Sequence, residues 1–140
     1  MQVAALPFVN DKMELKILLI SDRKKKKWLI PKGWPVKGLT FPQSAAQEAQ
    51  EEAGVKGIIS PQPLSDFGYH KKTTKWQTIP CRVIVYGFLV TDQDAEWKEK
   101  DQRDRLWCSL PQAIDKVNEQ NLTKVLKTIL KNPSLLTLSI

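Results

Sequence analysis

The stretch GLTFPQSAAQEAQEEAGV, residues 38–55, constrains this chain more than any other, because it specifies a helix, the face that helix buries and both of its ends. Thr40 suits the N-cap, Pro42 sits in the first turn where a missing N–H costs little, and Gly54 suits the left-handed position just past the last turn. From Pro42 to Ala53 the residues Ala45, Ala46, Ala49 and Ala53 form a stripe of small side chains, so the helix can lie close against a sheet. Glu48, Glu51 and Glu52 then fall in the last two turns, near the negative end of the macrodipole, where a cation would be preferred by ~0.3–1 kcal/mol each. They also crowd one another at i,i+3 and i,i+4 spacing. At ~6 Å and an effective dielectric of about 20, each pair repels by roughly 3 kcal/mol before screening.

A divalent cation would relieve that repulsion. Mg²⁺ prefers carboxylate oxygens and is commonly held by one or two protein carboxylates together with substrate phosphates. The competing explanation is a solvated acidic helix face. Just upstream, WLIPKGWPVKG, residues 28–38, runs an apolar strand into Pro31, Lys32 and Gly33 and then Gly38, a loop able to turn tightly and point main-chain groups at a ligand held by the following helix. The coupling of this loop to EAQEEAGV at fixed distance is a stronger indication than either part alone.

The rest of the chain surrounds these two segments with short apolar runs. Strand-like stretches are Val3 to Leu6, Leu15 to Ser21, Trp28 to Ile30, Val55 to Ser60, Leu64 to His70, Trp76 to Thr91 with a bend expected at Pro80, and Arg105 to Ser109. Further helices are expected over Pro111 to Glu119 and Leu122 to Lys131, the latter with Leu122, Val125, Leu126, Ile129 and Leu130 at helical spacing. These elements predict a mixed sheet with helices covering its faces. With 140 residues, no internal repeat and no linker, one domain spanning 1–140 is expected.

A net charge of +7 favours an anionic partner: nucleic acid, a phosphorylated small molecule or an anionic membrane surface. Cys81 and Cys108 lack both a disulfide framework and metal-ligand spacing, and read as small buried hydrophobes in a reducing compartment. The N-terminal MQVAALPFVNDK does not have the pattern of a targeting segment, and the longest apolar run, Val83 to Val90, is far short of the ~20 residues a spanning helix needs. A soluble, cytoplasmic protein with no membrane partner is the expectation.

The residues just described resemble the box of the Nudix hydrolase family, G-x5-E-x7-R-E-U-x-E-E-x-G-U with U aliphatic. Gly33 takes the first glycine, Glu48 the glutamate after the arginine, Ala49 the U position, Glu51 and Glu52 the paired acids, Gly54 the glycine and Val55 the last aliphatic. Leu39 stands where the first glutamate belongs and Gln47 where the arginine belongs, so the box lacks the charge that would orient its carboxylates by ion pairing. The strand CRVIVYGFLV and the later WKEKDQRDRLW extend the resemblance over roughly residues 13–130, toward members acting on diphosphoinositol polyphosphates and diadenosine polyphosphates.

The resemblance implies a Nudix-type α/β/α sandwich around a mixed β-sheet. It further implies a Mg²⁺-dependent hydrolase, with Mn²⁺ as a substitute, cleaving a phosphoanhydride in a polyphosphorylated small molecule. Glu48 and Glu52 would ligate the metal with the main-chain carbonyl of Lys32, and Glu51 would be the general base or the ligand of a second metal. Glu99, within the stretch WKEKDQRDR read as a mobile surface loop, is a supplementary metal ligand in this scheme. Arg23 to Lys27, Lys32 with Lys37, and the group His70, Lys71, Lys72 and Lys75 are the basic clusters available to phosphate, with Lys32, Lys37, Arg23, Lys72 and Lys75 as the substrate-binding set. The KKKK run also reads as a solvated turn, and His70 as a polar strand-end residue rather than a base. Trp28 and Trp107 read as sheet core, Trp34 and Trp76 as loop residues able to flank a ligand. The alternative to hydrolysis is a catalytically weakened Nudix-fold module that binds nucleotide, polyphosphate or RNA; no RNA-recognition motif accompanies the lysines, and no amphipathic anchor supports a membrane surface.

Overall fold

A computed structural model describes residues 1–11 and 14–137. Eight strands form one mixed sheet: β1 (Gln2–Asp11), β2 (Glu14–Ser21), β3 (Trp28–Leu29), β4 (Lys32–Gly33), β5 (Val55–Ile59), β6 (Ser65–Lys72), β7 (Thr78–Gln93) and β8 (Arg105–Ser109). The central path runs β3-β2-β1-β7-β5, with β4 on β1, β6 on β7 and β8 on β2. β1 and β7 are parallel from Gln2 opposite Val83 to Phe8 opposite Leu89, and the other ladders are antiparallel.

Alternation along β1 assigns the two faces. Ala4, Leu6 and Phe8 point to a core shared with Leu122, Leu126 and Ile129 of α3 (Gln120–Lys131) and with Leu110 and Ala113 of α2 (Leu110–Lys116). Val3 and Ala5 point the other way, onto Ala45, Ala49 and Ala53 of α1 (Phe41–Ala53). The architecture is therefore α/β, a mixed sheet between α1 on one face and α2 with α3 on the other. A short α4 (Ser134–Thr137) follows α3. Among the described residues no helix is long and apolar enough to cross a membrane.

Several expectations change in detail. β1 extends beyond Leu6 through Pro7 because the edge that Ala5 offers to the Pro31 carbonyl (3.0 Å) has a gap there, between the β4 pairing at Ala4 and the β2 pairing from Phe8. The missing N–H of Pro7 falls in that gap. The β6–β7 ladder also runs unbroken past Pro80; the irregularity in β7 lies instead opposite Lys56 and Gly57, where a Cβ on Gly57 would meet the Leu89 carbonyl oxygen. Trp76 belongs to the turn before β7. The two-residue β4 has no apolar pattern, and only its pairing with Val3 and Ala4 defines it.

Candidate active site

α1 is delivered to the sheet by the loop that follows β4. Thr40 caps it with a full capping box: its hydroxyl accepts from the Gln43 N–H at 3.2 Å, and the Gln43 side chain accepts from the Thr40 N–H at 2.9 Å. Gly54 ends the helix at φ +66°, its N–H donating to the Gln50 carbonyl. The buried alanines bring the helix against β1, so that Glu48 and Glu52 meet the β4 backbone. The Lys32 N–H donates to Glu52 Oε1 at 3.3 Å, and a Cβ on Gly33 would lie 2.5 Å from the Glu48 carboxyl carbon. Glycine at 33 is required by the Glu48 carboxylate, not by a turn.

Burial sets the protonation of these acids. Glu52 is only 5% exposed, and burial pushes its carboxyl up to about 8 against the pull of Arg103, with a hydrogen bond and the charge of Glu48 adding to the rise. Burial likewise raises Glu48; its hydrogen bond with Glu52 opposes the rise, and the charges of Glu51 and Glu99 add to it. Lys32 is lowered by burial, with Glu52 opposing and Lys71 and Arg103 adding. Its ammonium rests 5.1 Å from the Tyr69 ring centroid. Glu51 faces outward by comparison: the Gln47 amide donates to it at 3.4 Å and Lys98 lies 3.6 Å away.

The stretch expected as a mobile surface loop is instead packed under the C-terminus of α1. The Glu99 N–H donates to the Glu51 carbonyl (3.1 Å), Trp97 Nε1 to the Glu52 carbonyl (3.1 Å), and Arg105 Nη1 to the Ala53 carbonyl (2.9 Å). The Arg105 guanidinium in turn stacks 4.1 Å from the Trp97 ring centroid. Helix-end carbonyls that would otherwise lack partners are thus met from a distant segment, and cations arrive at the negative end of the dipole. Glu99 is 7% exposed and is paired through Oε1 with Arg103 Nε at 2.9 Å and Arg23 Nε at 3.5 Å. Sequence reasoning missed Arg103 and Arg105. Their only trace is an excess of arginine in a stretch of mixed charge, which a solvated loop shares.

The basic residues divide among different places. Asp22 holds the Arg23–Lys27 turn by accepting from the Lys26 and Lys27 N–H groups at 2.7 and 3.1 Å, and leaves the lysine side chains exposed. Lys32 and Lys72 line a cavity of about 430 Å³ together with Lys27, Lys71, Trp28 and Tyr69. Lys71 lies 5.7 Å from the Trp34 ring centroid, which ties the β6–β7 hairpin to the loop before α1. Lys37 is exposed on that loop, and Lys75 stacks on Trp76, 85% exposed, at the hairpin turn. His70 is an exposed residue of β6 that borders the cavity. Trp28 and Trp107 pack at the edges of the two cores, and both cysteines are free and buried. A larger groove, about 820 Å³, lies between β6, β7 and α3, away from the acids.

Among the described residues no group of three His, Cys, Asp or Glu side chains converges into a ready-made cation cage. The donors that do converge, Glu48 and Glu52, are hard oxygen ligands forced by burial to share a hydrogen bond. That chemistry suits Mg²⁺ completed by substrate phosphates, not an all-protein cage.

A mixed sheet between helices, with a glycine loop feeding a glutamate-rich helix, agrees with what comparison finds. The NUDIX domain model matches residues 1–130, and the chain belongs to the Nudix family. Two relatives from Arabidopsis thaliana are Nudix hydrolase 13, mitochondrial, 27% identical over 88% of this chain, and Nudix hydrolase 21, chloroplastic, 35% identical over 73%. The chain covers 63% and 50% of their respective lengths. Of solved structures, the C. elegans Ap4A hydrolase binary complex superposes with a TM-score of 0.71 at 16% identity, covering 95% of this chain and 96% of that one. The E. coli dihydroneopterin triphosphate pyrophosphohydrolase gives 0.67 at 13% identity, covering 94% of each. These two likenesses concern the fold.

Proposed function

We propose that this protein is a Mg²⁺-dependent hydrolase of a phosphoanhydride linkage in a polyphosphorylated small molecule. The observation that carries the proposal is the meeting of Glu48 and Glu52 at the Lys32–Gly33 backbone, where burial makes both acids poor anions unless a cation joins them. Glu48 and Glu52 would hold Mg²⁺, or Mn²⁺ in its place, with the Lys32 carbonyl. When bound, the cation neutralises phosphate charge and makes nearby water more acidic.

The chain's own groups divide the remaining work. Glu51, half-buried beside Lys98, accepts the proton of the attacking water as the new P–O bond forms and the bridging P–O bond breaks. Lys32 holds phosphate as a point charge, and its lowered proton affinity in the free protein is reversed by an anion. Lys72, with Lys27 and Lys71, places further positive charge around the cavity that adjoins Lys32. Lys37, Lys75 and Arg23 contribute to the field from outside it. Glu99, already occupied by two arginines, supplements the metal site only if one of them yields.

Substrate identity is a separate matter, because one fold serves many substrates. Ap4A and dihydroneopterin triphosphate, named for the two solved relatives, share a polyphosphate and little else. The cavity joins aromatic walls to lysines, which accommodates a nucleoside polyphosphate as well as a diphosphoinositol polyphosphate. The second reading, a binding module with weakened chemistry, rests on Gln47, which supplies no positive charge to the acids. A Mg²⁺-dependent hydrolysis screen over inositol pyrophosphates, dinucleoside polyphosphates, capped RNA ends and nucleoside diphosphate derivatives, run beside Glu52→Gln, decides between them. The hydrolase reading expects turnover of at least one class by the wild-type protein and none by the variant. Binding without turnover supports the module.

A further inference from the structure

Two buried carboxylates from distant parts of the chain lie beside one largely covered cation. Glu52 and Glu99 are 5% and 7% exposed, and the Arg103 side chain is 10% exposed. No lysine or arginine occurs anywhere in α1, so the helix cannot balance its own buried acid. Arg23 also reaches Glu99, but its side chain is 67% exposed.

The guanidinium of Arg103 is used in three directions. Nε donates to Glu99 Oε1 at 2.9 Å, Nη1 donates to the Ser21 carbonyl at 3.0 Å, and Nη2 lies 3.9 Å from Glu52 Oε2. Ser21 is itself fixed to the same loop: its N–H donates to the Asp104 carbonyl at 2.9 Å and its hydroxyl accepts from the Asp104 N–H at 2.8 Å. The cation is therefore held by Glu99 and by the end of β2, not by Glu52. At 3.9 Å it is too far to bond Glu52, so it attracts Oε2 without capping it, while the Lys32 N–H occupies Oε1. Oε2 of Glu52 is thereby attracted toward the guanidinium without a direct bond from it, on the carboxylate that also shares a hydrogen bond with Glu48.

We infer that Arg103 is a positioning residue for the acid site: it fixes the direction in which Glu52 presents its carboxylate and balances Glu99, supplying from the β7–β8 connection the charge that α1 lacks. This inference rests on the reading of Glu48 and Glu52 as cation ligands. Lysine cannot replace it, because a single ammonium cannot serve Glu99, the Ser21 carbonyl and Glu52 in fixed directions at once.

The test compares wild type, Arg103→Lys, Arg103→Met and a destabilising control on the opposite face of the sheet, Val125→Ala. Mn²⁺ affinity is titrated by electron paramagnetic resonance without substrate, and kcat and KM are measured at saturating Mg²⁺. Partners that orient metal ligands typically cost about 10–100-fold in affinity or activity when removed. Both Arg103 variants are expected to lose Mn²⁺ affinity and kcat in that range with KM within about twofold, while Val125→Ala keeps wild-type affinity. Wild-type affinity and kcat in Arg103→Lys overturn the inference even if Arg103→Met fails to fold. A wild-type protein that binds Mn²⁺ and hydrolyses substrate, with variants unchanged, removes the role of Arg103 alone. A wild-type protein that binds no Mn²⁺ removes the metal-site reading and this inference together.

Discussion

Two glycines of the box are required for different reasons, and the difference is measurable. Gly54 is at φ +66°, and a Cβ there would lie 2.7 Å from the Trp97 ring. Left-handed strain and overpacking together predict that Gly54→Ala loses about 2–4 kcal/mol in chemical denaturation. Gly33 has no such backbone constraint, and the atoms its Cβ would meet are the movable end of Glu48. Gly33→Ala is expected to cost under ~1 kcal/mol of stability yet lower Mg²⁺-dependent turnover at least about tenfold, because it displaces a carboxylate and not a fold element. Glu52 adds a pH signature. Its folded pKa of about 8 lies above the ordinary value of 4.5, so the native state binds the extra proton and stability falls as pH rises between those values. In metal-free buffer the fall approaches about 1.4 kcal/mol per pH unit at its steepest and ends above pH 8. Glu52→Gln should flatten it in urea denaturation followed across that range; an unchanged slope would mean that Glu52 is ionised when folded.

Among the elements, α1 was the most legible in the sequence. Its cap at Thr40, its stop at Gly54 and its alanine stripe are local features, each decided within a few residues. α3 was legible for the same reason, with Leu122, Val125, Leu126 and Ile129 buried where their spacing places them and Leu130, the fifth of the set, left exposed. The segment 97–105 was not. Its charges read as solvated, and it takes partners distant in sequence, the carbonyls at the end of α1 among them, to give Trp97, Glu99 and Arg105 a packed role. Tertiary contact also defines β4, whose two residues carry no strand pattern of their own. Replacing Arg105 with Met leaves the Ala53 and Gly54 carbonyls without that donor, and should weaken the end of α1 by about 1–3 kcal/mol. Hydrogen exchange at Glu52 to Gly54 would report it, with α3 protected as before.

Across the whole molecule, the two faces of the sheet are packed differently, and the lysine-lined cavity opens on the α3 side while the acids lie on the α1 side. The face carrying α2 and α3 holds the larger aliphatic core, while the face carrying α1 uses alanines to draw the acids to the β4 backbone. The charge excess was evident in the composition, but its distribution was not. Lys75, in the sequence group of Lys71 and Lys72, stacks on exposed Trp76 and does not line the cavity. Exposed lysines around the cavity predict that KM for a polyphosphate rises with ionic strength, as screening shortens the reach of the field. Lys72→Glu should raise KM about tenfold at low salt with unchanged melting temperature, whereas Lys24→Glu, on the exposed turn, should change it little.

The central claim is that Glu48 and Glu52 share a divalent cation at the Lys32–Gly33 backbone. Anomalous diffraction from crystals soaked in Mn²⁺ tests it most directly. A peak within coordination distance of both carboxylates, absent in Glu52→Gln, is the predicted result; fully ordered Glu48 and Glu52 with no peak between them at saturating Mn²⁺ would contradict it.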